Sequence, residues 1–279
     1  MAPPPDVLVI GCGYLGRRVA LRWIAAGRRV AALTRGRTAE LAALGLEPIV
    51  SDVLDPDSLR RLPEVSTVLY AVALDRSSGR SMREVYVTGL GNVLAAMPPC
   101  GRFLYVSSTS VYGQADGSEV DESSATVPVE ESGRVVLDAE KLLREKMPSA
   151  IVLRFAGIYG PDRLLRRQAL LNGEPLVGDA DKWLNLIHVE DGAGAVLAVE
   201  GHGRPGETYI VADDTPVRRR EFYTQLARLL GAPGARFEPY PPGKVAQPEA
   251  NRRVSNRKLR ALGWVPRYPS YAEGLAASL

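Results

Sequence analysis

An open, doubly wound parallel α/β sheet with a smaller, less regular C-terminal part is the fold class this sequence predicts. Three observations predict it. The apolar run Val7-Leu8-Val9-Ile10 leads straight into Gly11-Cys12-Gly13-Tyr14-Leu15-Gly16, and helical spacing follows. Strand and helix signals then alternate over the first 155 residues, as parallel sheets with crossover helices require. The length of 279 residues suits one large domain, or a main domain with a small appendage.

The first strand spans 6–10. In the turn after it, Gly11 would allow the sharp bend, Gly13 would let a pyrophosphate approach the backbone, and Gly16 would let helix and strand pack closely. A turn of this kind aims backbone N–H groups and the positive end of a helix dipole at an anion. Leu15, Val19, Trp23 and Ile24 recur at helical spacing, giving a helix over 15–26, with Tyr14 and Leu15 at its mouth. Further strands are expected at 29–34, 48–50, 67–72, 102–106 and 149–155. Helices are expected near 37–44, 56–61, 82–96 and 134–146. Beyond residue 160 the pattern loosens, with helices near 163–171, 190–199, 218–230 and 255–261 and proline-rich loops at 239–248. Residues 1–160 thus form the dinucleotide-binding unit, to which 185–212 return, while 161–184 and 213–279 form a small substrate-binding part.

Ligands of open α/β sheets lie at the carboxyl ends of the strands. At the end of the second strand, Thr34-Arg35-Gly36-Arg37 offers guanidinium groups suited to a 2′-phosphate where an acidic residue would suit a free ribose, so NADP is favoured over NAD. The alternative is that Arg35 and Arg37 are solvated loop charges. After the third strand, Asp52 with Val53 could accept from the adenine amino group, or Asp52 could cap the helix after Pro56. Ala71, Val72 and Ala73 are small enough to let a cofactor lie close to the fourth strand.

Composition narrows the partners. With 46% hydrophobic and 24% charged residues and a net charge of +3, the chain reads as an ordinary soluble globule with little support for nucleic-acid binding. No apolar run reaches the ~20 residues that span a bilayer, and Met1 to Pro5 shows no signal segment, so a cytoplasmic protein without membrane partners is expected. Cys12 and Cys100 are not expected to pair, and with only His188 and His202 no metal is expected.

Arg102-Phe103-Leu104-Tyr105-Val106 followed by Ser107-Ser108-Thr109-Ser110-Val111-Tyr112-Gly113 resembles the short-chain dehydrogenase/reductase superfamily, in its extended epimerase/dehydratase branch. Ile151 to Pro161, Asn185-Leu186-Ile187-His188-Val189-Glu190-Asp191 and Leu259 to Trp264 are similar to later signatures of that branch. The resemblance implies a Rossmann fold, a loop at Phe155, Gly157 and Ile158 lining the nicotinamide, and Ser108 bonding a substrate oxygen. It also implies a homodimer joined through the helices near 82–96 and 134–146. The family's tyrosine acts as general acid or base, and a lysine four residues on holds the ribose. Lys141 fits the lysine position, which puts Leu137 where the tyrosine should stand. Tyr112, Tyr159, Asp138 and Tyr86 are then the candidates to replace the acid. Leu184 stands where nucleotide-sugar epimerases carry an arginine, and Arg163, Arg166, Arg167 and Lys182 are the nearby cations. His188 reads as structural. Two functions stay open: an NADP-dependent oxidoreductase or epimerase/dehydratase acting on a small carbonyl or alcohol, and a non-catalytic NADP-binding sensor.

Overall fold

The computed structural model describes residues 4–241 and 249–279. Part of the proline-rich stretch expected at 239–248 therefore lies outside the described residues. Seven parallel strands build the sheet: β1 (Val7–Ile10), β2 (Val30–Thr34), β3 (Glu47–Val50), β4 (Thr67–Tyr70), β5 (Arg102–Ser108), β6 (Ile151–Phe155) and β7 (Thr208–Val211). Their order is β3-β2-β1-β4-β5-β6-β7, so the chain winds outward in both directions from β1. Val7 pairs with Val30 on one side and Thr67 on the other. β7 is the strand of the sheet that the sequence reading did not resolve, although 185–212 was expected to return to the dinucleotide-binding unit.

Both faces of the sheet are covered, and β1 shows how. Side chains alternate across a strand. Val7 and Val9 enter one core with α1 (Tyr14–Ala25) and α5 (Val189–His202), while Leu8 and Ile10 enter the other with α3 (Gly89–Ala96) and α4 (Glu131–Lys146). All four β1 residues are fully buried, which is why the strand reads as an unbroken apolar run. The short α2 (Thr38–Ala43) buries Leu41 beside them. On the outer edge of α1 and α5, Glu190 pairs with Arg18 at 2.8 Å and with Arg22 at 2.9 Å.

A third core gathers Leu170, Leu176, Leu186, Val217, Phe222, Tyr223 and Leu226 around α6 (Arg219–Leu229) with Tyr159 and Leu275. The last helix, Tyr271–Ala276, completes it. Its start is a capping box between Ser270 and Glu273. That helix was not expected, although Ser270-Tyr271-Ala272-Glu273 carries its signature.

Candidate functional site

A cavity of about 890 Å³ runs along the carboxyl ends of β1 to β6. Its floor is the glycine turn. Gly11 has φ +97°, and a side chain there would meet the Ala71 backbone at 2.4 Å. One on Gly16 would meet the Gly11 carbonyl at 2.3 Å, so this glycine joins helix to strand and lies outside the lining. Gly13 differs, because nothing lies within 4 Å of where its Cβ would stand. The open face therefore sits at the N-cap of α1, which no side chain caps and no acidic residue in the first turn covers. This cradle fits the pyrophosphate of a dinucleotide.

Tyr14 and Leu15 line the cavity, with the Tyr14 hydroxyl donating to the Pro161 carbonyl at 2.8 Å. Cys12 lines it as well and is not disulfide-bonded; burial pushes its thiol up to about 11. At the end of β2, Thr34 Oγ1 accepts from the N–H groups of Gly36 and Arg37, folding the turn so that Arg37 Nη2 donates to the Cys12 carbonyl at 2.9 Å. Arg35 pairs with Asp75 at 3.2 Å. Both arginines line the cavity, as does Arg80, for which the sequence carried no signal. Asp52 and Val53 line it too. The Asp52 carboxylate accepts from Leu54 N–H at 2.9 Å, closing its own turn rather than capping the helix that follows.

Ala71, Val72 and Ala73 form the next wall, and Ser107, Ser108, Phe155, Gly157 and Ile158 the far end. Ser108 Oγ accepts from Ser110 N–H at 3.1 Å, and among the described residues its own hydrogen has no acceptor.

Helix α4 departs from expectation. Its cavity-facing residues are Ser132 and Val136, one turn apart, with Glu140 buried one turn further on. Lys141 points away: its side chain is 69% exposed and its nearest acidic partner is Asp138 at 3.9 Å. Leu137 packs with Val111 and Tyr112, in the cluster that also holds Val136, and does not itself line the cavity. The physical reason is the ion pair beneath. Arg154 on β6 grips Glu140 through two bonds of 3.0 and 2.7 Å, and this sets the rotation of α4. Counting apolar residues alone placed Glu140 outside the core stripe, and that turned the helix by about one position.

The two tyrosines expected at the site are also turned in. Tyr112 is fully buried and its hydroxyl accepts from Arg154 Nη1 at 2.8 Å. Tyr159 is fully buried under Gly274, its phenol pushed up by burial. Neither lines the cavity. Asp138 lies on the outer face of α4 against Arg83 at 2.5 Å. His188 caps α5, its Nδ1 accepting from Glu190 N–H at 3.3 Å, and burial holds the ring below its ordinary range. Of Arg163, Arg166, Arg167 and Lys182, only Arg163 lines the cavity; Lys182 pairs with Glu249 at 2.6 Å. Among the described residues no His/Cys/Asp/Glu cluster could hold a metal ion, and no helix is long and apolar enough to cross a membrane.

Residues 7–212 match the NAD dependent epimerase/dehydratase family. The chain belongs to that family. Protein YeeZ of Escherichia coli K12 is 30% identical over 243 residues, covering 83% of this chain and 86% of that protein. The 2-alkyl-3-oxoalkanoate reductase of Shewanella oneidensis MR-1 is 28% identical over 251 residues, covering 79% and 65%. Among solved structures, MoeE5 in complex with UDP-glucose and NAD superposes with a TM-score of 0.81 at 25% identity, covering 98% of this chain and 97% of that one. Family members bind NAD(P), and the relatives are oxidoreductases, epimerases and dehydratases.

One buried carboxyl near Tyr159 gives a pH prediction. Burial raises Asp213 to about 8, and its Oδ2 has no partner among the described residues. Between the unfolded value near 3.8 and about 8, the folded state keeps a proton that the unfolded chain releases. This contribution to stability is complete below the unfolded value and is lost as pH rises through the folded one. Thermal melts of the wild type and Asp213→Asn from pH 5 to 8.5 should therefore diverge, the wild type losing more melting temperature as pH rises. Parallel curves would contradict the assignment.

Proposed function

We propose that this chain is an NADP(H)-dependent oxidoreductase of a small carbonyl or alcohol. The observation that carries the reading is the continuity of one cavity from the open Gly13 cradle, past Arg35 and Arg37, to Ser108. The two guanidinium groups supply the planar donor geometry that a 2′-phosphate recognises. When bound, the nicotinamide would supply hydride transfer. Ser108 would hold and polarise the substrate oxygen, with Phe155, Gly157 and Ile158 against the nicotinamide. The reductase relative supports a carbonyl substrate over a nucleotide sugar. In this reading residues 1–160 with 185–212 hold the nucleotide, and 161–184 with 213–279 cover the substrate. The same reading makes the protein a cytoplasmic homodimer paired through α3 and α4, which light scattering of the purified chain checks.

A second reading, a non-catalytic NADP sensor, draws on one observation. The cavity face of α4 carries Ser132 and Val136, which leaves no phenol or ammonium on that helix beside the nicotinamide. Turnover of carbonyl probes separates the two.

The cofactor part is tested by titrating NADPH and NADH while following energy transfer from tryptophan. The Arg35→Ala/Arg37→Ala double variant should lose about tenfold or more in NADPH affinity, roughly 1.4 kcal/mol per tenfold, with NADH affinity unchanged. Equal loss for both nucleotides would remove NADP selectivity, and no binding of either below about millimolar would remove the reading.

A further inference from the structure

Resting on the oxidoreductase reading, we infer that Tyr86 is the proton donor of this site, in place of the helical tyrosine that α4 lacks. Of the four candidates to replace that acid, only Tyr86 lines the cavity. It stands on a π-helical turn, Glu84–Thr88, a local geometry that proteins often place at functional sites. The ring packs on the sheet-side core and on the cluster holding Val136, one of the two residues that α4 presents to the same cavity.

Its hydrogen bonding is that of a donor in waiting. The phenol oxygen accepts from Leu74 N–H at 3.1 Å, just past the end of β4, and among the described residues no acceptor takes its own proton. The backbone N–H also remains in place to stabilise the phenolate once the proton has gone. The other two phenols on the cavity wall are less suited. Tyr14 spends its proton on the Pro161 carbonyl. Tyr105 lies in the middle of β5, three residues short of Ser108, and burial drives its phenol far above the ordinary range.

In the reductive direction a bound dihydronicotinamide would supply the hydride to the carbonyl carbon as the C=O π bond opens, and the Tyr86 proton would go to the oxygen held by Ser108. The carbonyl is reduced to an alcohol and the dinucleotide is oxidised. Solvent then returns a proton to the phenolate.

The test compares wild type, Tyr86→Phe and Tyr105→Phe. NADPH affinity is measured first, then NADPH oxidation with pyridine-3-carbaldehyde and ethyl acetoacetate as probes. Tyr86→Phe should bind NADPH as the wild type does and lose about 100-fold or more in kcat. Tyr105→Phe should keep both. A readout independent of turnover is the ¹³Cζ resonance of Tyr86 in tyrosine-labelled protein, assigned by its loss in Tyr86→Phe. It should shift when NADP⁺ is added. A Tyr86→Phe variant with wild-type kcat, or a resonance that NADP⁺ leaves unmoved, overturns the assignment. Wild type that binds NADPH but reduces neither probe also removes the proton-donor role, while leaving the cofactor site standing. Wild type that binds no NADPH removes the reading beneath it.

Discussion

Gly13→Asp is expected to weaken dinucleotide binding strongly while leaving the protein slightly more stable, whereas Gly11→Ala, two residues away, is expected to cost stability first. The contrast follows from what each side chain would meet. At Gly13 the new Cβ stands in open space, and the position is the uncapped N-cap of α1. Aspartate is a preferred N-cap residue and its charge suits a helix N-terminus, so a gain of a few tenths of a kcal/mol over glycine is expected. The same carboxylate fills the face on which a pyrophosphate would lie and repels it. Nucleotide affinity should fall ~100-fold or more, about 2.7 kcal/mol. At Gly11, φ is +97° and the added methyl would stand 2.4 Å from the Ala71 carbonyl carbon, a contact that only a backbone shift relieves. Strain of this kind costs on the order of 1–3 kcal/mol. Thermal melts with fluorescence titration of NADPH decide the matter. A Gly13→Asp protein that binds normally would mean the nucleotide does not lie on this turn.

The parts of the fold legible in the sequence are those where one physical demand dominates. β1 must be apolar on both sides, so Val7 to Ile10 could be read without ambiguity, and the glycine turn could be read because sterics leave no other residue type at Gly11. Ala71 to Ala73 could be read because ligands of open α/β sheets lie at the carboxyl ends of the strands, whereas Phe155, Gly157 and Ile158 were expected from the family resemblance; all six line the cavity. Helix α4 was misread because its rotation depends on a charge. Glu140 looks like a solvated residue until Arg154, whose burial no periodicity announces, is placed opposite it on β6. Once Glu140 is counted as inward, Ser132 and Val136 follow as the cavity positions by helical spacing, and Lys141 moves to the surface. Tyr86 could be only one candidate among four in the sequence, because what separates it from Tyr112 and Tyr159 is the direction of a side chain.

The same ion pair carries the largest stability effect expected of a single substitution. Arg154 and Glu140 have side chains only 9% and 6% exposed. The guanidinium meets both carboxylate oxygens, its remaining nitrogen donates to Tyr112, and Ser107 Oγ donates to Glu140 at 2.5 Å. Each guanidinium nitrogen and both carboxylate oxygens thus have a partner, and removing one residue strands the other. Glu140→Ala should destabilise the protein by about 3–5 kcal/mol, since a buried cation would remain without its counter-charge. Replacing both residues, as Glu140→Leu with Arg154→Met, should cost much less than the single change, because no uncompensated charge is left. Urea unfolding of wild type, Glu140→Leu, Arg154→Met and the double variant forms a double-mutant cycle, and additive losses would mean that the pair does not act as a unit. The loss should reach the cavity through the sheet. Ser107 pairs with Arg154 and Ser108 with Phe155 in the β5–β6 register, so the pair anchors the two strand ends that form the substrate end of the site. Glu140→Gln keeps the shape and part of the hydrogen bonding, and its stability should fall between wild type and Glu140→Ala.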